Sequence, residues 1–296
     1  MCLLAIALGV STRWPLVIAS NRDEFRDRPT RPLSVWTTSG DVTVVSGRDL
    51  RAGGTWMGST TGGRIALLTN VREPDAATAA LSRGDLPLRW LEGQMGTADF
   101  LIATDAKSYG GCNLVIGDFL SGDWAWASNR GNLDVGAVPL GSIQLPSGWQ
   151  TMQLQPGLYG LSNALLDTPW PKTQHLKAAM REALAKADQE GEESGLTGVL
   201  WPALASRQQA NVSDLPSTGV SQSMELALSS ALIDMPARPH GGYGTLSSTL
   251  MWVKAPARTG AAAWHATICE KTINTEAQDI NGSSQHMVRL TWPLRG

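Results

Sequence analysis

The chain has 296 residues, 42% of them hydrophobic and 17% charged, which supplies apolar material for a packed core and excludes intrinsic disorder. Lysine and arginine number 24 against 26 acidic residues, a net charge of −2, so the basic excess expected of a nucleic-acid-binding protein is absent.

The first 70 residues read as β-structure. Cys2 to Leu8 is a continuous apolar run, the pattern of a strand covered on both faces. Leu16 to Ala19 forms a second run that pairs with it as a hairpin, and Val42–Val45, Thr55–Gly58 and Arg64–Leu68 supply further strands between Gly-rich turns. Asp85, with Pro87 behind it, starts a helix whose inner face carries Leu86, Trp90 and Leu91. Strands return at Asn113–Gly117, Asp123–Ala127 and Leu158–Leu161. A long helix follows over 169–187, with Thr168 as N-cap, Pro169 at the first helical position and an apolar stripe from Leu176 to Ala187. Leu196–Leu204 is a shorter helix, and Thr249–Val253, Trp264–Cys269 and Met287–Trp292 are the closing strands. Strands, then helices, then strands predict one layered α+β domain over residues 1–296.

Three cysteines, Cys2, Cys112 and Cys269, are too few and too dispersed for a disulfide framework or a zinc ribbon. The histidines His175, His240, His265 and His286 are not spaced as metal ligands, and no metal is expected. Leu3 to Val10 is too short to span a bilayer and lacks the basic flank of a signal peptide, so a soluble, cytoplasmic protein without a transmembrane segment is expected. The phosphate-binding loop, the H-E-x-x-H zinc motif and the G-x-S-x-G elbow are all missing.

The candidate chemistry begins at Cys2. Removal of Met1 would leave a thiol and an α-amino group on one residue. With the amine titrating near ~7.7–8.0 and the thiol near ~8.5, the first can take the proton of the second. A small apolar residue opening a buried strand is the alternative reading of Cys2. After the second strand comes Asn21-Arg22-Asp23-Glu24, which the hairpin returns to the neighbourhood of the chain start. An arginine beside a thiolate lowers its pKa, and an aspartate can accept from an α-ammonium.

Met-Cys before an apolar strand, followed by Asn21-Arg22-Asp23-Glu24, resembles the NRDE family, also called the transport and Golgi organization protein 2 family. The likeness continues through Gly53–Gly58, Ala66–Asn70, Cys112–Leu114, Asn129–Gly131, Gly157–Trp170 and Tyr243–Thr245. It implies the four-layer αββα fold of N-terminal nucleophile hydrolases, close to penicillin V and bile-salt acylases, with two stacked, mainly antiparallel sheets flanked by helices. It further implies Cys2 as nucleophile, Arg22 and Asp23 in support, and Asn70 and Asn163 as donors to the oxyanion. Many members carry Arg after Tyr-Gly-Thr, where this chain has Leu246, so slow hydrolysis is expected.

Two functions follow from the resemblance. One is a Cys2-dependent amidohydrolase of small lipophilic C–N amides that requires no cofactor. The other is a non-catalytic binding or trafficking protein for haem or for acyl-CoA and lipid. Without a C-x-x-C-H attachment site, haem would be held non-covalently. The partner is a small lipophilic molecule in either case, and the sequence does not specify the oligomeric state.

Overall fold

In the opening run, small and large side chains alternate: Leu3, Ala5 and Ala7 point one way, Leu4 and Ile6 the other. Such a strand can lie between a helix layer on its small side and a second sheet on its large side. The computed structural model describes residues 3–73, 79–131, 138–235, 242–256, 263–273 and 284–293, so Cys2 lies outside the described residues.

The strands in chain order begin with β1 (Leu3–Leu8), β2 (Leu16–Phe25), β3 (Thr30–Thr37), β4 (Thr43–Asp49) and β5 (Met57–Thr60). Next come β6 (Arg64–Asn70), β7 (Cys112–Asp118), β8 (Asp123–Ser128), β9 (Ile143–Gln144) and β10 (Gln150–Gln153). The last five are β11 (Gly157–Leu161), β12 (Asp234–Met235), β13 (Tyr243–Lys254), β14 (Ala263–Thr272) and β15 (Gln285–Pro293). The helices are α1 (Asp85–Glu92), α2 (Thr97–Ala103), α3 (Pro171–Glu190), α4 (Ser194–Leu204) and α5 (Gln222–Ala227).

One sheet runs β11-β1-β2-β13-β14-β15, with β12 added beside β13, and the other runs β3-β4-β5-β6-β7-β8-β10-β9. Every pairing between these strands is antiparallel. Three apolar clusters separate four layers. Leu3, Ala5, Val17 and Trp252 pack beneath Leu176, Met180, Leu196 and Leu200 of α3 and α4. Leu4, Ile18 and Met251 meet Val45, Leu67 and Trp126 between the sheets. Ala66, Leu68 and Ile116 carry Trp90 and Leu91 of α1 and Phe100 of α2 on the far face. The layer order is αββα, as expected.

Several local expectations need correction. The long helix starts at Pro171 with Trp170 as N-cap, and Thr168 instead closes a turn, donating to the Leu165 carbonyl at 2.8 Å. The extended residue before a proline and the proline at N1 are shared by both placements, so the sequence signal was offset by two residues. The helix ends at Gly191, whose φ of 76° is the left-handed stop a glycine accepts without strain. β3 was not expected at all. It is an edge strand broken by a register shift between Arg31 and Ser34, where Pro32 cannot donate to the ladder. The short elements α2, α5, β9, β10 and β12 also escaped the sequence reading.

Candidate active site

The strand carrying Asn21-Arg22-Asp23-Glu24 is longer than its apolar run. β2 does not stop at Ala19 but continues to Phe25, with Asn21, Arg22 and Asp23 buried. Polar side chains survive inside a sheet only when each finds a partner. Asn21 Nδ2 donates to the carbonyls of Leu204 (2.9 Å) and Ala231 (2.8 Å), and its Oδ1 accepts from Ser248 Oγ at 2.6 Å. Asp23 Oδ1 accepts from Thr245 Oγ1 at 2.6 Å, and that hydroxyl in turn accepts the Ile233 N–H at 2.9 Å.

Alternation on β2 sends Arg22 the other way, into the space between the sheets, as Ser20 goes toward Met57. The Arg22 guanidinium stacks 4.2 Å over the Trp56 ring and has Glu24 Oε2 and Asp49 Oδ2 each at 3.8 Å. Burial pushes its pKa below the ordinary arginine value, while Glu24 and Asp49 pull it back up. Its Nη1 is buried without a hydrogen-bond partner among the described residues. Trp56 holds its place because Gly47 leaves room: a Cβ there would lie 2.3 Å from the indole ring. Asp49 is fixed by Arg28 Nε at 2.7 Å. Nearby, Glu270 of β14 crosses to the second sheet, where Oε1 accepts the Leu33 N–H at 2.8 Å.

The other two candidates come from different strands. Asn70 ends β6, and Asn163 follows β11 by two residues. Asn163 Nδ2 donates to the backbone carbonyl of Asn70 at 2.9 Å, and Arg72 N–H donates back to the Asn163 carbonyl at 2.8 Å. The contact uses the main chain of Asn70, leaving its side chain outside that bond. Asn163 Oδ1 accepts from Ser162 Oγ at 3.3 Å, so the orientation of the amide is set and its second N–H is not part of the tie to Asn70.

Both groups flank one end of β1. Leu3, the residue after Cys2, pairs with Asn21, and Leu4 pairs with Leu161, two residues before Asn163. Arg22 and Asp23 therefore lie on the strand to one side of that end, and Asn163 lies just past the strand on the other. Arg22 and Asp23 lie on opposite faces of the strand, a separation that follows from the strand period. Trp56 and Thr245, which support them, belong to the Gly53–Gly58 and Tyr243–Thr245 segments, where the sequence singled out the block but assigned no role. Leu246 is the extra residue of a β-bulge between Thr245 and Ser247, directly beside Asp23 and Arg22.

No helix among the described residues is long and apolar enough to cross a membrane, and no group of three potential metal ligands occurs among them.

The chain is 33% identical over 181 residues to the Transport and Golgi organization 2 homolog of Mus musculus, and 35% identical over 179 residues to the corresponding protein of Bos taurus. The first match covers 58% of this chain and 59% of the mouse protein, the second 58% of each. The chain thus matches less than two thirds of the length of these relatives. Among solved structures it is similar to a Caenorhabditis elegans N-acylethanolamine-hydrolyzing acid amidase ortholog, with a TM-score of 0.44 and 11% identity, covering 84% of this chain and 92% of that one. The sequence profile of Transport and Golgi organisation 2 matches residues 1–274, a span that includes all four described candidates as well as Cys2. The buried N-R-D-E strand and the asparagines across from it are thus those of a member of the Transport and Golgi organisation 2 family.

Proposed function

We propose that this chain is a cysteine N-terminal nucleophile amidohydrolase acting on a small, lipophilic C–N amide. The observation that carries the reading is the bracketing of one end of β1: β2 brings Arg22 and Asp23 to one side, and the end of β11 brings Asn163, tied to Asn70, to the other.

Loss of Met1 exposes the α-amino group of Cys2, which takes the thiol proton. The thiolate attacks the amide carbonyl, and the tetrahedral oxyanion accepts hydrogen bonds from the free N–H of Asn163 and from the Asn70 side chain. The C–N bond breaks as the α-ammonium returns its proton to the leaving amine. Water then adds to the thioester, giving a carboxylic acid and the restored thiol. Arg22 favours the thiolate through its charge, and Asp23, held by Thr245, accepts from the α-ammonium. Glu24 and Asp49 offset part of the Arg22 charge, and Leu246 adds no cation of its own, so turnover is slow.

The test is intact mass of purified protein followed by incubation with a panel of acyl amides. Expected are a chain lacking Met1, an acyl adduct on Cys2, and loss of turnover by several orders of magnitude in Cys2→Ser. A retained Met1, or neither adduct nor turnover across the panel, overturns the reading in favour of non-catalytic binding of a small lipophilic molecule.

A further inference from the structure

Between α4 and β12 the chain runs through residues 205–233, all of them described, with one 3-10 turn (Val212–Asp214) and the short helix α5 as its regular structure. Ordered connections of this length with so little regular structure are uncommon in a compact domain and tend to carry function. The two ends of this one meet. The Leu232 N–H donates to the Ser206 carbonyl at 2.9 Å, and the Ala210 N–H donates to Ser229 Oγ at 3.0 Å. Residues 211–228 therefore project from a closed neck.

The projection is held down by an acid. None of the residues from Ala205 to Met224 is buried, and the first that is, Glu225 of α5, is 3% exposed. A buried carboxylate is costly unless it is paired and hydrogen-bonded. Glu225 Oε1 accepts from the Thr218 N–H at 2.8 Å and from Thr218 Oγ1 at 2.5 Å, and Oε2 is paired with Arg72 Nη1. The loop is thus folded on itself through Thr218 and fastened by an ion pair, where a buried apolar side chain would be the ordinary anchor.

Arg72 has a second attachment. It stands two residues past Asn70, and its main-chain N–H donates to the Asn163 carbonyl at 2.8 Å. Its guanidinium lies 4.8 Å over the ring of Trp170, the N-cap of α3. One residue therefore joins the loop to Asn163, whose amide is tied to the Asn70 carbonyl. Both charges of the pair are nearly out of water. Removing one leaves the other buried and uncompensated, and the loop must lift for it to be solvated.

We propose that Arg72 is a positioning residue: its ion pair with Glu225 latches residues 211–228 as a flap beside the Asn70–Asn163 tie, and the closed flap holds the Arg72 N–H on the Asn163 carbonyl. The effect on catalysis rests on the amidohydrolase reading, whereas the latch itself does not.

The experiment is amide hydrogen exchange of the full chain, read by NMR. Glu225→Gln and Arg72→Met each speed exchange in residues 211–228, and at the N–H of position 72, by at least about tenfold, while α3 keeps its protection and so reports that the variants fold. The double variant Arg72→Met/Glu225→Met leaves no unpaired charge, and it exchanges no faster than either single variant. Arg72→Lys, which keeps the cation, exchanges more slowly than Arg72→Met at both places. With an amide that acylates Cys2, Glu225→Gln lowers the acylation rate at saturating substrate by at least about tenfold, because Asn163 is no longer held in place. The proposal is overturned by unchanged exchange in both single variants, by additive losses in the double variant, or by a freed loop with position 72 still protected or acylation unchanged. Absence of any adduct on the wild type overturns the amidohydrolase reading instead, and the exchange pattern still decides the latch.

Discussion

Asn163 and Asn70 stand 93 residues apart in sequence, yet the side-chain amide of the first is bonded to the main-chain carbonyl of the second at 2.9 Å. The bond connects the end of a strand in one sheet to the end of a strand in the other. The two asparagines consequently differ in their structural duties. Asn163→Ala leaves the Asn70 carbonyl unpaired and costs about 1–3 kcal/mol of stability. Asn70→Ala keeps the bond and changes stability by no more than about 0.5 kcal/mol. Under the proposed mechanism both lower the acylation rate by about 10²–10³-fold. Urea titration alongside single-turnover acylation separates the two effects, and equal stability losses would contradict the assignment of the bond to the Asn70 backbone.

Gly47→Ala places a methyl group 2.3 Å from the Trp56 ring, so the indole must move. Trp56 lies under the Arg22 guanidinium, and the disturbance passes to that cation. Overpacking of this kind costs about 1–3 kcal/mol. The expected result is a lowered urea midpoint together with a changed tryptophan emission spectrum. An unchanged midpoint would show that the ring has room to yield.

Glu270 gives stability a pH dependence of defined sign. Burial pushes its carboxyl above the ordinary glutamate value, against hydrogen bonds from the Leu33 N–H and Ser247. The folded chain therefore holds this proton to a higher pH than the unfolded chain, which releases it near about 4.3. The Glu270 contribution is complete below that value and is lost as pH rises through the folded pKa. Glu270→Gln removes the loss. Measured as the difference in urea midpoint between wild type and variant, the balance should shift toward the variant from about pH 4 to about pH 8. A constant difference across that range would remove Glu270 from the account.

Asn21→Ala deletes two donors and one acceptor in a buried position, leaving the Leu204 and Ala231 carbonyls without that partner. The expected cost is about 2–4 kcal/mol, read as a drop in thermal or urea midpoint. A loss below about 0.5 kcal/mol would mean that water or a shifted neighbour replaces the amide.

The layers were legible because apolar alternation survives in the sequence. Leu3 to Leu8, the stripe from Leu176 to Ala187 and the run Thr249 to Val253 each point to the face on which they pack. β3 was not legible, since Pro32 and alternating exposed residues give it no apolar signature. At the site, Arg22 and Asp23 stood out as polar groups beside a buried strand, whereas Asn70 and Asn163 were singled out through the family resemblance. Their partners did not stand out. Glu270 looks like the polar end of an apolar run, and only its spacing of two from Ile268 marks it as facing the other sheet. The tie between Asn163 and Asn70 runs through a carbonyl that every residue possesses, so no residue type could announce it.

The opposite facing of Asn21 and Arg22 on β2 has a consequence for natural selection. A one-residue slip of that strand would drive the guanidinium into the helix layer and strand the amide between the sheets. Asn21, Arg22 and Asp23 thus guard the register in which the chain folds, independently of any reaction beside them. Under the proposed mechanism, a descendant that abandoned catalysis would still be held to these three residues by the penalty of misfolding. The change would then surface first at Cys2, and the motif would outlast it.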